Sequence, residues 1–322
     1  MKVNYAGLVG DVGGTNARFA VVDAQGHVRN PRIFPAKDYA NINEVIGEYL
    51  ETTCGRKHPA RAVIAVAGPV VDGAIEFTNL DWQISEGELI ADFSFEAVKL
   101  LNDFAAQALA APRLDPEELR PIGPKLRGAE DCPMVVLGAG TGFGVSCLAR
   151  GDRGDIAIAT EGGHAAFAPT DEVEVEVWKR LKAEFGRVSI ERLLSGPGLH
   201  DLYRALADIE GVPAPLADQK VVTEAGNAGD PLAGRTLDRF CAIMGSVAGD
   251  IALTMGARGG VFISGGIAPR LADRLESGGF RARFEDKGRL SDYVKEIPTS
   301  LVLHPYPAII GAARELEQME RL

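Results

Sequence analysis

The sequence predicts an α/β chain made of two similar halves facing one cleft, and three observations carry this. Near the start, Leu8 to Asp23 reads as an apolar run, an Asp-Val-Gly-Gly-Thr-Asn turn and a second apolar run. That pattern is strand, tight loop, strand. Val135 to Ala149 repeats it around Gly138-Ala139-Gly140-Thr141-Gly142, with Gly10 and Gly138 in equivalent places and a threonine, Thr15 or Thr141, in each turn. After each hairpin, short β-rich runs alternate with stretches of helical periodicity, the pattern of parallel sheets with crossover helices.

The two turns suggest anion chemistry. Gly13 and Gly14 can adopt positive φ and leave backbone amides bare, and successive bare amides form a cradle for phosphate. Asp11 places a carboxylate beside that cradle, which is repulsive toward phosphate unless a cation lies between, so the pair suggests Mg²⁺ with a nucleotide. An ordinary β-hairpin turn is the competing reading. Neither turn is followed by the Gly-Lys-Ser/Thr of a Walker A loop. A dinucleotide fingerprint also fits poorly, because Asn16-Ala17-Arg18-Phe19 continues into β-favouring residues where that motif requires a helix.

The bulk properties narrow the class. At 322 residues and 34.2 kDa the chain is long enough for a large core and two domains. Its net charge of −11 and pI near 5.1 argue against a broad nucleic-acid-binding face. Apolar runs are short and broken by glycine or charge, so no transmembrane helix is expected, and Met1-Lys2-Val3-Asn4 does not read as a signal peptide. Cys54, Cys132, Cys147 and Cys241 form no CxxC and no cluster. They read as reduced cytoplasmic thiols, with no support for structural zinc.

In order along the chain, Arg32 to Pro35 follows the first hairpin as an edge strand, since proline disfavours a central place. Tyr39 to Thr53 is predicted helical, with Ile42, Val45, Ile46, Tyr49 and Leu50 on one face. Arg61 to Ala67 is a strand ended by Gly68-Pro69, and the chain returns through Val70 to Phe77. Thr78-Asn79-Leu80-Asp81-Trp82 is a polar loop in which Asn79 is either a ligand donor or an Asx-turn, and Trp82 reads as packing. Ser85 and Glu88 form a capping box for the next helix.

Ala97 to Leu101 is a strand closed by Asn102-Asp103, and a helix runs from Phe104 to Ala111. Asn102 or Asp103 can serve as that helix's N-cap. Ligands in open α/β sheets gather at the carboxyl ends of strands, so Asp103 is equally placed to take a proton from a hydroxyl attacking phosphorus. Residues 112–131 read as a linker. Asp155 to Ala159 is a strand leading to Thr160-Glu161-Gly162-Gly163-His164, where two glycines argue against a helical metal site. Glu161 and His164 fit hydrogen bonding to a polyol better.

A helix is predicted from Glu172 to Glu184. Ser189 is read as capping a short helix stopped by Gly196 and Pro197, with Glu191 a first-turn carboxylate. Further helices are predicted over Leu199–Ala207, Val221–Ala228 and, longest, Pro231–Ala257. Gly245 and Gly249 in the last of these either permit close packing or loosen it. Val261 to Ser264 is a strand, and Gly265-Gly266 after it lets backbone approach a flat ligand such as a base or ribose. Gly279 to Arg289 reads as charged surface, with Phe280 and Phe284 covering an edge. Ile297 to His304 holds the last strand, and Ala308 to Met319 the last helix.

Taken together, these motifs resemble the bacterial ATP-dependent glucokinases of the hexokinase–actin–heat-shock ATPase superfamily, from Leu8 to Leu316. The matching segments are Gly10-Asp11-Val12-Gly13-Gly14-Thr15-Asn16-Ala17-Arg18, Thr78-Asn79, Asn102-Asp103-Phe104 after its strand, and Gly138 to Gly142. Glu161-Gly162-Gly163-His164, Glu191 to Gly198 and Gly265-Gly266-Ile267 complete them.

The resemblance implies a two-domain actin-like, ribonuclease H-like fold with a deep interdomain cleft. The small domain would be residues 1–110 joined by a C-terminal helix at 308–322, and the large domain 111–307. It implies a cytoplasmic, homodimeric enzyme acting on glucose and ATP with Mg²⁺, and no nucleic-acid or membrane partner. Asn79, Asn102, Asp103, Glu161, His164 and Glu191 would bind the sugar, with Asp103 as catalytic base for the 6-hydroxyl. Gly10, Asp11, Gly13, Gly14, Thr15, Asn16, Gly138, Gly140, Thr141, Gly142, Gly265 and Gly266 would surround the nucleotide, with Asp11 near the metal through water. A kinase for another hexose, an actin-like switch ATPase and a sugar-responsive regulator are the alternatives.

Overall fold

The computed structural model describes residues 5–55, 58–77, 80–151 and 154–319, and the chain divides into two compact units. The first comprises Met1–Leu114, Gly151–Ala159 and His304–Leu322, and the second Asp115–Arg150 and Thr160–Leu303. Relative to boundaries at 110/111 and 307/308, the first unit thus also takes 111–114, 304–307 and the excursion Gly151–Ala159.

In the first unit β1 (Tyr5–Val12) pairs antiparallel with β2 (Asn16–Asp23), and β2 with β3 (Val28–Pro35). α1 (Ile42–Cys54) follows β3 and precedes β4 (Arg61–Val66). Asn41 caps α1 through the Glu44 N–H, and Ile42, Val45, Ile46, Tyr49 and Leu50 are buried, the stripe the 3.6-residue period predicts. The small antiparallel pair β5 (Ala74–Glu76) and β6 (Gln83–Ser85) precedes α2 (Glu86–Phe93), capped by Ser85, and Trp82 is buried. β4 lies parallel to β1 and to β7 (Ala97–Asn102), giving the order β3-β2-β1-β4-β7, and α3 (Asp103–Ala110) starts directly at the end of β7.

The second unit begins with β8 (Leu119–Pro121), which pairs with a later strand, so residues 112–131 are not a free linker. A three-residue strand with a proline gives too little alternation to be recognised in sequence. β9 (Met134–Ala139) and β10 (Phe143–Ala149) form the second hairpin, and β11 (Ile156–Thr160) leads into the Glu161 turn. Then follow α4 (Glu172–Phe185), α5 (Gly196–Glu210), α6 (Gln219–Asn227) and α7 (Pro231–Met255). β12 (Gly260–Ser264) is parallel to β9. After α8 (Ala272–Ser277), α9 (Phe280–Glu285) and α10 (Ser291–Lys295), β13 (Thr299–Val302) lies parallel to β12 and antiparallel to β8. The orders β2-β1-β4-β7 and β10-β9-β12-β13 share one pattern of antiparallel, parallel, parallel pairing. The repeat read from the two glycine hairpins therefore extends to four strands of each sheet.

Three local expectations are corrected. No helix follows Ser189. Residues 190–194 form hydrogen-bonded turns, and Gly196 and Pro197 start α5 rather than stop a helix, with Ser195 capping it through the Gly198 N–H. Proline in the first turn removes only an amide that has no helical partner. Phe280 and Phe284 are not surface cover but fully buried. Gly245 and Gly249 permit this, because a Cβ at either would strike the Phe280 or Phe284 carbonyl of α9, so these glycines serve close helix packing.

The last helix, α11 (Pro307–Met319), packs on α3 within the first unit. A Cβ on Gly311 would overlap the Ala106 carbonyl. Gly311→Ala is therefore expected to lower stability by about 1–3 kcal/mol, the usual cost of overpacking. An unfolding midpoint in urea equal to that of the parent would contradict this. Among the described residues no helix is long and apolar enough to cross a membrane.

Candidate active site

Each unit carries one hairpin turn and one set of polar residues. In the first unit β1 and β2 bring Asp11 opposite Arg18. Arg18 Nη1 donates to Asp11 Oδ2 at 3.0 Å, and the guanidinium lies 5.2 Å from the centre of the Tyr306 ring. Burial holds the Asp11 carboxyl above the usual carboxylate range, and the Arg18 charge and hydrogen bond offset only part of that rise. Arg18 Nε is buried without a hydrogen-bond partner among the described residues. Sequence reasoning assigned Arg18 no role. The signal was present, because residues equidistant from a hairpin turn pair across it.

The turn itself departs from expectation. Gly13 N–H donates to Asn16 O at 3.0 Å, which closes the turn and removes that amide from a phosphate cradle. Gly140 N–H does the same toward Gly142 O at 2.8 Å in the second hairpin. Neither Gly13 nor Gly140 has positive φ. A Cβ on Gly13 would have only one neighbour, at 3.9 Å, and one on Gly140 or Gly266 would have none within 4 Å. Among the described residues, nothing in the packing requires glycine at these three places. Gly10, Gly138, Gly142 and Gly265 differ, since a Cβ there would strike Phe19, the Ser264 carbonyl, Glu191 and the Ala139 carbonyl. Gly265 also needs its φ of 84°. Thus the hairpins contain glycines that build the fold and glycines that keep space open. Thr15, Gly14 and Thr141 are exposed at the tips, and Thr15 O accepts the Ala36 N–H. Asn16 pairs into β3 opposite Pro35.

At the end of β7, Asn102 is the N-cap of α3: its Oδ1 accepts the N–H groups of Phe104 at 3.0 Å and Ala105 at 3.2 Å. Its Nδ2 donates to Gly68 O at 3.2 Å and to Asp103 Oδ1 at 3.1 Å. Asp103 Oδ1 also accepts the Phe104 N–H at 2.9 Å. Capping and carboxylate display are therefore divided between two neighbours, where the sequence left either as the cap. Asn79 lies outside the described residues.

In the second unit Glu161, His164 and Glu191 come together. His164 Nε2 is 3.9 Å from Glu161 Oε2 and 3.9 Å from Glu191 Oε1, too long for direct hydrogen bonds and close enough for one hydroxyl-bearing molecule to bridge them. Glu191 is fixed from two sides: its Oε2 accepts the Phe143 N–H at 2.8 Å, and its own N–H donates to Gly163 O at 2.9 Å. Thr160, which sequence reasoning passed over, holds the turn: its hydroxyl donates to Val145 O at 2.9 Å and accepts the Gly162 N–H at 3.2 Å. Next to them Ile267 N–H donates to Ala139 O at 3.2 Å, seating Gly265-Gly266 against the end of β9.

A carboxylate beside a hairpin turn, a carboxylate at a strand end and a trio spaced to bridge a hydroxyl-bearing molecule each suit one part of sugar phosphorylation. The sequence profile of the glucokinase family matches residues 8–319. The chain is 53% identical over 310 residues to a glucokinase from Caulobacter sp. (strain K31), covering 95% of this chain and 94% of that one. It is 43% identical over 325 residues to a glucokinase from Hahella chejuensis, covering 99% of each. Its fold is similar, at TM-score 0.88 and 38% identity, to the crystal structure of a glucokinase from an Antarctic psychrotroph, over 96% of this chain and 98% of that one.

Proposed function

The chain belongs to the glucokinase family and, as an enzyme of it, phosphorylates glucose with ATP, and we propose that Asp103 takes the proton of the 6-hydroxyl while Glu161, His164 and Glu191 hold the other hydroxyls. The observation that carries the sugar assignment is the trio around His164. Two carboxylates accept hydroxyl hydrogens, and an imidazole donates or accepts, with all three within reach of one small polyol.

Phosphoryl transfer asks the protein for position and charge. Asp103 is held by Asn102 and by the first turn of α3, so its carboxylate is oriented before substrate arrives. A carboxylate in hydrogen-bond reach of the attacking hydroxyl accepts its proton as the oxygen–phosphorus bond forms. Glucose is the acceptor and ATP the donor, giving glucose 6-phosphate and ADP.

The open glycine positions, Gly13, Gly140 and Gly266, support nucleotide placement along both turns, because the fold itself does not demand glycine there. Gly140→Ala is expected to leave the unfolding midpoint unchanged and raise KM for ATP about tenfold, ~1.4 kcal/mol. An unchanged KM would remove Gly140 from the nucleotide site. Asp11 fits Mg²⁺ held through water: it is a single carboxylate beside the turn, oriented through its Oδ2 by Arg18, and Mg²⁺ in kinases takes one or two carboxylates with substrate phosphates. The metal would offset charge on the β- and γ-phosphates. Homodimerisation and a cytoplasmic location belong to the same proposal, and a light-scattering mass near 34.2 kDa would count against the dimer.

The deciding experiment is ADP release from ATP and Mg²⁺ with a panel of sugars, with the product identified. Strong dependence on glucose and formation of glucose 6-phosphate is the expected result. Preference for another hexose would redirect the specificity assignment, and sugar-independent hydrolysis would overturn it in favour of a switch ATPase.

A further inference from the structure

Separate from the polar trio, the second unit holds an apolar cavity of about 320 Å³, at the lower end of the ~300–1,000 Å³ of small-molecule sites. One wall is a single face of α7, where Val247, Ile251 and Met255 recur every four residues. Facing them are Val145 of β10, Phe167 and Ile190. Gly162, Ala165 and Ala166 also line it, and Gly162 and Ala165 belong to the turn that carries Glu161 and His164. Ile190 directly precedes Glu191, and its N–H donates to Ala165 O at 2.9 Å. The cavity and the trio therefore share one hydrogen-bonded stretch of backbone.

The polar atoms around the cavity define its occupant. Asp250 is the charged side chain in the lining, and Lys287 Nζ neutralises it at 2.8 Å while also donating to Ser246 O at 3.0 Å. The Thr254 hydroxyl donates to Asp250 O at 2.8 Å, and the Thr160 hydroxyl donates to Val145 O at 2.9 Å. An anion finds no unmatched cation here and a cation no unmatched carboxylate, and burying a charge without a partner is costly. The lining suits a neutral, mainly apolar ligand.

We propose that this cavity binds a neutral aromatic molecule of one or two fused rings, and that its occupancy is coupled to sugar binding at Glu161, His164 and Glu191. A ring packed between α7 and Phe167, Ile190 and Ala165 braces the turn in the arrangement that presents the trio. Binding there tightens sugar binding, and by reciprocity sugar tightens binding there by the same factor. The coupling rests on the sugar assignment above, whereas the cavity's own affinity does not.

The test is calorimetric titration of the full chain with indole, without ATP, in the absence and presence of saturating glucose. Val247→Phe and Ala166→Phe fill the cavity from opposite walls. Ala166 is exposed, so its enlargement does not overpack the core. The expected result is saturable 1:1 binding of indole, tightened about fivefold by glucose, and lost in both variants, which retain glucose-dependent ADP release. Absence of saturable binding, or equal binding in both variants, overturns the site. Indole affinity unchanged by glucose, in protein whose own titration shows glucose bound, overturns the coupling. Failure of glucose itself to bind indicts the sugar assignment and leaves the cavity result standing.

Discussion

Asp103→Asn is expected to lower kcat for glucose phosphorylation by about 10²–10⁴-fold, the range lost when a positioned general base is removed. KM for glucose and the unfolding midpoint should change little. The substitution is chosen because an amide oxygen can keep the acceptor role of Asp103 Oδ1 toward the Phe104 N–H, so the N-terminus of α3 stays built. Loss of the charge at that helix end costs only ~0.3–1 kcal/mol. What disappears is the ability to accept a proton from the sugar. Steady-state kinetics with circular dichroism on the same preparation separates chemistry from folding. A folded variant turning over at near the parental rate would remove Asp103 from the mechanism.

The largest stability effect is expected away from the chemistry. Glu174 on α4 is 1% exposed, and its carboxylate is surrounded by charge. Oε1 accepts from Arg283 Nη2 at 2.9 Å and Arg239 Nη1 at 3.3 Å, and Oε2 accepts the Thr170 N–H at 2.9 Å and hydroxyl at 3.0 Å. Arg239 lies on α7 and Arg283 on α9, so one carboxylate joins three helices. Glu174→Ala removes the more buried of the two carboxylates that the partly buried Arg239 and Arg283 guanidiniums share, and is expected to cost about 3–5 kcal/mol. Glu174→Gln keeps the shape and an acceptor and should fall between. Urea denaturation measures both, and an alanine variant within about 1 kcal/mol of the parent would show that Asp171, which also pairs with both arginines, carries the cluster alone.

Comparison of these two groups shows what a linear sequence discloses. Asp103 was legible because its context is local: an apolar strand, a polar pair and a helix in one short run. The same holds for the two hairpins, whose pairing depends on residues within one turn of each other, and for α1, whose buried stripe follows from the 3.6-residue period. Glu174 was not legible, because its partners lie 65 and 109 residues away and each alone is an ordinary surface-type charge. Phe280 and Phe284 were misread for a related reason. The charged residues around them describe the exposed side of a short helix, while burial was decided by two glycines on α7.

By itself the sequence determined the duplicated α/β plan, the strand-end position of Asp103 and the choice of Glu161, His164 and Glu191 as candidate polyol-binding groups. These are properties of periodicity and local spacing, which the backbone enforces wherever the chain goes. Tertiary structure decided the rest. It tied Glu191 to the Phe143 amide 48 residues away, paired Asp11 with Arg18, and used the Gly13 and Gly140 amides to close their own turns. It also separated glycines that packing demands from glycines that packing leaves open. Such distinctions depend on which atoms occupy neighbouring space, and only the folded chain brings those atoms together.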